Sequence, residues 1–307
     1  MVAPPSPRFG TVLTAMATPF DATGALDLDG AVMLARYLVA HGSDGLVVSG
    51  TTGEAATLSD DERVSLWREV ASAVDVPVLA GSTSNDTRHS IELTRSATQA
   101  GASGIVAVAP YYSRPSQAGI AAHFRAIAAA TPLPIILYDI PVRTGRKIAS
   151  ETILALATEV ENIVGLKDAA GDAPATERLL ARTPSDFACY SGDDLMTLPL
   201  LSVGAVGLIG VATHWCGVEC GEMIRRFRAG DHAGSLEIAR ALISSFVYET
   251  GDDAPNPVPL KAVLRVLGLP AGECRSPMGP TPAGLEDRAR AVLADLDAWR
   301  HARRGDG

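Results

Sequence analysis

The chain alternates short apolar runs with longer amphipathic segments, and this pattern restricts the possible folds more than any other feature. Eight runs have the length of buried strands: 11–18, 45–49, 77–81, 104–110, 134–141, 162–168, 187–192 and 205–211. Between or after them lie segments with helical periodicity: 27–40, 59–74, 87–100, 117–130, 150–159, 173–183, 195–203 and 217–229. Repeated strand-then-helix units are typical of a parallel sheet with crossover helices.

Eight such units predict an α/β fold, a closed (β/α)8 TIM barrel, because a doubly wound sheet usually has fewer strands and a glycine-rich phosphate turn after the first. The strand pattern stops after Gly230, and the segments 231–250, 259–267 and 284–300 look helical. We expect an N-terminal tail (1–10), the barrel (11–230), a C-terminal helical extension packed on the barrel (231–300) and a final tail (301–307).

The bulk properties point to a small-molecule enzyme of the cytoplasm. A formal charge of −9 over 307 residues argues against a nucleic-acid partner, which needs a basic stripe. No stretch reaches the roughly 20 apolar residues of a membrane span. The four cysteines are too scattered for a disulfide framework or a metal site, so we expect free thiols in a reducing compartment and no metal.

Lys167 is the first candidate for chemistry. Lysine occurs only at positions 147, 167 and 261, and Lys167 lies near the end of the apolar run 162–168. An amine that must lose its proton and attack a carbonyl cannot be replaced by Arg, whose guanidinium stays charged. Lys167 is therefore a candidate nucleophile, although an ion pair with Asp168 or another acid at a strand end is the simpler alternative.

Other reactive groups follow neighbouring strands, and a barrel gathers them at one rim. An amine condenses with a 2-oxo acid to an imine that acts as an electron sink. The turn 50–53 has backbone N–H groups and two hydroxyls that can bind a carboxylate. Tyr138 and Tyr112 can relay protons through the Thr51 hydroxyl. Arg143 can bind a second carboxylate.

Each of these groups also has a structural alternative. The threonines can cap the next helix, the tyrosines can plug an interface, and Arg143 can form a surface salt bridge. His89 and His214 are assigned no catalytic role, and Asp193 with Asp194 is expected to cap the following helix. The groups that follow four different strands together supply what one reaction needs, and this favours the catalytic interpretation.

Five motifs occur in order along the chain: GTTGE at 50–54, PYYSRPSQ at 110–117, YDIPVRTG at 138–145, GLKD at 165–168 and SGDD at 191–194. Together they resemble the dihydrodipicolinate synthase family of class I pyruvate-dependent aldolases and lyases. The resemblance extends from about residue 10 past residue 280. It implies condensation of pyruvate with L-aspartate-4-semialdehyde on the way to diaminopimelate and lysine, with no cofactor and no catalytic metal.

The resemblance also implies individual roles. Lys167 forms the Schiff base, Tyr138 donates and accepts protons, and Thr51 with Tyr112 completes the proton relay. The implied substrate-binding residues are Thr52 and Ile209 for pyruvate and Arg143 for the semialdehyde carboxylate. The second tyrosine of the pair reaches into the neighbouring subunit's site, which implies a homodimer as the minimal active unit and a homotetramer built from tight dimers.

Two other functions stay open at this stage: a related Schiff-base aldolase acting on a 2-keto-3-deoxy sugar acid, and a catalytically silent paralogue that binds an oxo acid. Thr51 and Ala169 favour the synthase over sialic-acid lyases, which tend to carry Ser and Thr at these positions. Asp139 stands where the family usually has Asn, so its charge is expected to bear on the electrophile pocket and on the choice of aldehyde.

Feedback inhibition by lysine is expected to be weak or absent. In sensitive relatives the allosteric pocket has an acid at the position of His89 and histidines at the positions of Asp60 and Arg63. Asn85 and Tyr111 match that pocket. The acid that would pair with the amino group of lysine is missing from its usual position.

Overall fold

The predicted barrel is confirmed by the computed structural model, which describes residues 7–305. Eight parallel strands pair in sequence order, and the eighth closes on the first. The strands are β1 (Val12–Ala15), β2 (Gly45–Val48), β3 (Val78–Ala80), β4 (Gly104–Val108), β5 (Ile135–Asp139), β6 (Ile163–Asp168), β7 (Ala188–Ser191) and β8 (Gly207–Gly210).

Helices surround the barrel, and the last four make up the predicted C-terminal helical extension. The helices are α1 (Leu28–Ala40), α2 (Asp60–Ala73), α3 (Thr87–Gln99), α4 (Gln117–Ala128), α5 (Pro141–Thr144), α6 (Ser150–Glu159), α7 (Ala173–Leu180), α8 (Thr197–Ser202), α9 (Thr213–Arg228), α10 (His232–Ala241), α11 (Ile243–Tyr248), α12 (Val258–Val266) and α13 (Leu285–Gly305). None of the helices within residues 7–305 combines the length and the apolar character needed to cross a membrane.

Local signals explain several boundaries. The capping box predicted before α2 is present: the Glu62 amide donates to Ser59 Oγ at 3.2 Å, and the Ser59 amide donates to the Glu62 carboxylate at 2.8 Å. The helix predicted over 231–250 is divided at Leu242 into α10 and α11. The helix α13 continues past the predicted end at Arg300 to Gly305, and residues 1–6 of the predicted N-terminal tail lie outside the described residues.

Strand alternation divides the core into two layers. One layer fills the barrel and includes Ile136, Tyr138 and Ile209, whereas Ile135 and Leu137 pack outward against the helices. In β6 this alternation is interrupted, because Ile135 pairs with residue 163 and Ile136 pairs with residue 165. The extra residue between them is a bulge, and it allows Lys167 to face the barrel interior beside Tyr138.

Candidate active site

A cavity of about 310 Å³ opens at the C-terminal ends of the strands. It brings together six of the predicted site residues: Thr51, Thr52, Tyr111, Tyr138, Arg143 and Lys167. The C-terminal extension closes part of this cavity with Asn256, Pro257, Pro277 and Met278. The extension therefore contributes to the site as well as packing on the barrel.

Lys167 is buried at the base of this cavity, with 6% of its surface exposed. Its Nζ lies 4.3 Å from the centre of the Tyr138 ring. A Cβ at Gly192 would come within 2.9 Å of Lys167 Cγ, so the glycine makes room for the lysine stem. Burial lowers the pKa of Lys167 to about 8, and the negative charges of Asp194 and Glu249 oppose this shift.

Lys167 does not pair with Asp168, which was the simpler alternative. Asp168 points to the other side of β6, where its carboxylate accepts hydrogen bonds from the Thr176 hydroxyl and, at 2.9 Å, from the Ala170 amide. Within residues 7–305, Lys167 forms no ion pair. The amine is therefore available to react with a ligand in the cavity.

Tyr138 is held as a neutral phenol beside the amine. It is the register partner of Lys167 on the adjacent strand and is likewise buried. Burial raises the pKa of Tyr138 to about 12, and the nearby Arg143 guanidinium and a hydrogen bond with Thr51 act in the opposite direction. A protonated phenol at this position can donate a proton to a group bound at Lys167.

Asn256 is a site residue that sequence reasoning missed. Its side-chain Nδ2 donates to Thr52 Oγ1 at 3.0 Å, and its backbone carbonyl oxygen accepts from Arg143 Nη2 at 3.3 Å. It therefore connects two predicted substrate-binding residues that follow different strands. The only signal in the sequence is one amide side chain between two prolines, in a segment that looked like a link between helices.

Two of the predicted catalytic and substrate-binding residues lie outside the cavity lining. Ile209 is fully buried in the layer that fills the barrel. Tyr112 is 90% exposed, has a positive φ of 71°, and does not line the chain's own cavity, whereas its neighbour Tyr111 does.

Asp139 faces away from the cavity, because it follows the inward-facing Tyr138 on β5. Its buried carboxylate accepts from Lys147 Nζ at 3.3 Å and from the Ile148 amide at 3.1 Å. Burial raises the pKa of Asp139, and these two contacts oppose the rise. The geometry therefore gives no support to the expectation that its charge bears directly on the electrophile pocket.

Asp194 and Glu249 form a buried acid pair near Lys167. Both carboxyl groups accept from the Ala212 amide at 3.2 Å. Burial raises the pKa of Asp194 to about 6 and raises that of Glu249 well above its usual value. Two buried carboxylates this close share a proton, so the pair keeps about one negative charge near neutral pH.

This pair differs from the sequence prediction for the SGDD motif. Asp194 reaches the amides of Val211 and Ala212 at the start of α9, instead of capping the helix that follows it. The Asp193 carboxylate accepts from the Leu195 amide at 3.0 Å, in the turn before α8, and the start of α8 has no side-chain cap. Glu249 was not predicted, because it ends a helix of the extension and belongs to no recognisable motif.

The three residues of the expected allosteric pocket do not meet in this cavity. Tyr111 lines it, Asn85 is exposed, and His89 Nε2 contacts the Asp60 carboxylate at 2.9 Å. Weak or absent inhibition by lysine stays a prediction. The other unassigned histidine, His214, bridges the Val211 carbonyl and the Ala17 amide as a buried structural group, and burial lowers its pKa to about 4.

No group of three or more His, Cys, Asp or Glu side chains within residues 7–305 is arranged to hold a metal ion. The four cysteines are free thiols, and Cys189, Cys216 and Cys220 are buried.

Comparisons with known proteins agree with this geometry. The model of the dihydrodipicolinate synthetase family matches residues 8–296. The chain is 52% identical to a 4-hydroxy-tetrahydrodipicolinate synthase of Acidothermus cellulolyticus, with 98% of each chain covered. It is 51% identical to an enzyme of the same name from Moorella thermoacetica, with 94% of this chain and 98% of that protein covered.

Solved structures give the same result. A dihydrodipicolinate synthase of Bacillus anthracis superposes with a TM-score of 0.90 at 43% identity, with 94% of this chain and 99% of that chain covered. The enzyme of Cyanidioschyzon merolae, solved with lysine bound, gives a TM-score of 0.91 at 43% identity and covers 94% and 98% of the two chains. Family model, relatives and barrel geometry agree, and the chain belongs to the dihydrodipicolinate synthase family.

Proposed function

We propose that this protein is a 4-hydroxy-tetrahydrodipicolinate synthase, a lyase that condenses pyruvate with L-aspartate-4-semialdehyde in the diaminopimelate route to lysine. The observation that carries the proposal is a buried amine, Lys167, with a pKa lowered to about 8 and no ion-pair partner within residues 7–305. The names of the relatives at 51–52% identity support the choice of substrates.

In the first step the neutral Lys167 amine attacks the ketone carbon of pyruvate and forms a carbinolamine. Loss of water gives a protonated imine, in which the nitrogen attracts electrons from the adjacent methyl carbon. The Tyr138 phenol gives a proton to the departing hydroxyl, and the phenolate that is left then takes a proton from that methyl carbon, which becomes the nucleophilic end of an enamine. The buried negative charge shared by Asp194 and Glu249 favours the cationic imine, just as it favours the ammonium form of the lysine.

In the second step the enamine carbon attacks the aldehyde carbon of the semialdehyde, and a carbon–carbon bond forms. The aldehyde oxygen becomes an alkoxide and takes a proton from the Tyr138 phenol. The amino group of the semialdehyde then displaces Lys167 from the imine carbon, which closes the ring and frees the enzyme. No oxidant, reductant or metal takes part in this sequence.

The remaining residues bind substrates and return the proton. Thr51 is near Tyr138 and passes protons between it and Tyr112. Thr52, positioned by Asn256, binds the pyruvate carboxylate, Arg143 binds the semialdehyde carboxylate, and Ile209 supports the pyruvate subsite from the barrel interior.

The exposure of Tyr112 supports a role in the site of a neighbouring subunit, and hence a homodimer as the minimal active unit within a homotetramer. Four free thiols favour a reducing cytoplasmic location.

Borohydride trapping tests the proposal directly. Reduction in the presence of pyruvate is expected to add the pyruvate-derived group to the peptide that contains Lys167, and mass spectrometry of a digest locates it. The peptides with Lys147 and Lys261 are internal controls. A parallel assay compares the semialdehyde with 2-keto-3-deoxy sugar acids as substrates.

Three outcomes would contradict the proposal. An unmodified Lys167 peptide in an active enzyme removes the mechanism, and preferred turnover of a sugar acid removes the substrate assignment. Near-normal turnover by Lys167→Arg, which keeps the charge but cannot form the imine, also removes the mechanism.

A further inference from the structure

Asp139 closes the loop that carries Arg143. This loop, residues 140–148, begins directly after Asp139 and returns to it. The Asp139 carboxylate accepts from the Ile148 amide at 3.1 Å and from Lys147 Nζ at 3.3 Å. Because the Asp139 side chain is only 2% exposed, these partners satisfy the carboxylate in place of water. One buried side chain therefore joins the two ends of the Arg143 loop.

The interior of the loop gives Arg143 a local conformation but does not fix its place in the cavity. Arg143 lies in the single turn α5, which ends at Gly145 with a left-handed φ of 72°. The Thr144 hydroxyl lies 3.1 and 3.0 Å from the carbonyl oxygens of Ile140 and Arg146. A helix of four residues is not stable by itself. Its orientation therefore depends on how the ends of the loop are held.

The contact of Asp139 also fixes Arg143 relative to Tyr138. Tyr138 and Asp139 are neighbours on β5, and the phenol lies in the cavity while the carboxylate packs toward the helices. Gln117 ties the same end of the loop to α4, because its Nε2 donates to the Lys147 carbonyl oxygen at 2.9 Å. Asp139 ties it to the strand that carries the phenol.

We propose that Asp139 is a positioning residue for the second substrate, because it holds Arg143 in place relative to Tyr138. The inference rests on the proposed function, in which Tyr138 protonates the aldehyde oxygen and Arg143 binds the carboxylate of the same molecule. Asp139 makes no contact with substrate in this role, since its carboxylate faces away from the cavity. The attack of Lys167 on pyruvate does not use Arg143, so Asp139 acts on the second step alone.

Steady-state kinetics of the full chain with Asp139→Ala test this role. The substitution removes the acceptor of the Ile148 amide and of Lys147. We expect KM for the semialdehyde to rise about tenfold, because the loop then adopts the binding conformation in only a fraction of the molecules. The rate of pyruvate trapping with borohydride is expected to change less than about twofold, since uniform binding of the second substrate is what is lost.

Two further variants separate the local role from a general loss of stability. The amide oxygen of Asp139→Asn can still accept from Ile148, so its KM for the semialdehyde is expected to stay within about threefold of the parent. Asp44 is a carboxylate at the opposite end of the barrel that accepts from the amides of Thr11 and Val12 at 2.7 and 3.0 Å. Asp44→Ala is expected to lower the melting temperature and to leave this KM unchanged.

Hydrogen exchange measures the loop itself and does not depend on the reaction. In Asp139→Ala, peptides that cover the Arg143 loop are expected to exchange at least about tenfold faster than in the parent, while peptides of β4 exchange at the same rate. If Asp139→Ala does not fold, Asp139→Ser takes its place with the same expectations, because its hydroxyl is one bond too short to reach Ile148.

The outcomes separate this inference from the proposed function. Absence of a borohydride adduct, or of turnover of the semialdehyde by the parent, counts against the function, and hydrogen exchange then still tests the closure of the loop. Unchanged exchange of the loop in Asp139→Ala overturns the inference. An equal KM for the semialdehyde in this variant and the parent also overturns it, as does a fall in pyruvate trapping as large as the rise in KM.

Discussion

A buried amine serves the proposed chemistry only when it is unprotonated. With a pKa of about 8, the Lys167 amine is neutral in roughly one-tenth of the molecules at pH 7. For an ordinary lysine the neutral fraction at pH 7 is well under about one-thousandth. We expect the rate of imine formation with pyruvate to rise nearly tenfold per pH unit below pH 8 and then to level off.

Single-turnover borohydride trapping at a series of pH values measures this dependence. Asp139→Asn is a suitable control, because Asp139 is a buried acid on the far side of the neighbouring strand and its loss is expected to leave the midpoint unchanged. A rate that keeps rising to about pH 10 would mean that burial does not lower the pKa of Lys167.

Asn256 provides a second test at the residue scale. Asn256→Ala removes the hydrogen bond to Thr52 Oγ1 and the constraint on that hydroxyl, so we expect KM for pyruvate to rise about tenfold, as for the loss of one or two hydrogen bonds. Steady-state kinetics measure the change. The control is Asn162→Ala, which removes an amide bonded to three backbone carbonyls at the opposite end of the barrel. An equal KM effect in both variants would contradict a local role for Asn256.

The site residues that the sequence could predict are those of a scarce residue type or within a recognisable motif. Lys167 was identified because lysine is scarce and its amine cannot be replaced, and Tyr138 and Arg143 were identified through motifs at strand ends. Asn256 and Glu249 were not predicted, because amide and acid side chains in helices and loops usually serve capping or solubility. Their roles depend on the folding of the extension over the barrel, which local sequence does not specify.

At the scale of elements, the bulge in β6 decides which way the lysine points. Ile163 and Leu166 both face the helices although they are three residues apart, and regular alternation would not place both there. The inserted residue restores the register, so that Lys167 pairs with Tyr138. The apolar run predicted the strand, but a hydrophobic pattern of six residues cannot reveal a bulge. The short helix α5 was missed for a similar reason, since four residues give no periodicity.

The extension is joined to the barrel by a buried ion pair. Lys261 Nζ in α12 lies 2.6 Å from Glu54 Oε1 in the loop after β2, and both side chains are 1% exposed. We expect Lys261→Met to lower the free energy of unfolding by about 3–5 kcal/mol, because an uncompensated carboxylate stays buried. Urea denaturation measures this change.

A double variant distinguishes charge from packing. Glu54→Gln combined with Lys261→Met is expected to recover much of the loss, since no buried charge is left unpaired. Arg125→Met, which breaks an exposed pair with Glu159, serves as a comparison and is expected to cost less than about 1 kcal/mol. If the double variant is no more stable than Lys261→Met, packing accounts for the loss.

At the scale of the whole molecule, the proposed role of Tyr112 requires a second chain. Lys167→Arg and Tyr112→Phe are each expected to be nearly inactive as homo-oligomers. A hybrid dimer that contains one subunit of each kind has one complete site, formed by Lys167 of one chain and Tyr112 of the other. We expect it to recover about half of the activity of the unmodified dimer.

Co-expression with two different affinity tags provides the hybrid for assay, and mass spectrometry verifies its composition. Mixing the two purified homo-oligomers without exchange of subunits is the control. If Tyr112 acted within its own chain, each site of the hybrid would contain one defect, and the hybrid would stay inactive.

The contribution of Asn256 and Met278 to the cavity also affects when the molecule becomes competent during its synthesis. All eight strands leave the ribosome before the segment that carries Asn256 has been translated, and domains generally begin to fold from the N-terminus. A nascent barrel can thus contain Lys167 while Asn256, which positions Thr52 for the pyruvate carboxylate in the proposed function, is still missing. Release of a nearly complete polypeptide is therefore a condition for turnover, and a premature stop codon after β8 would give a reactive lysine without a shaped pocket.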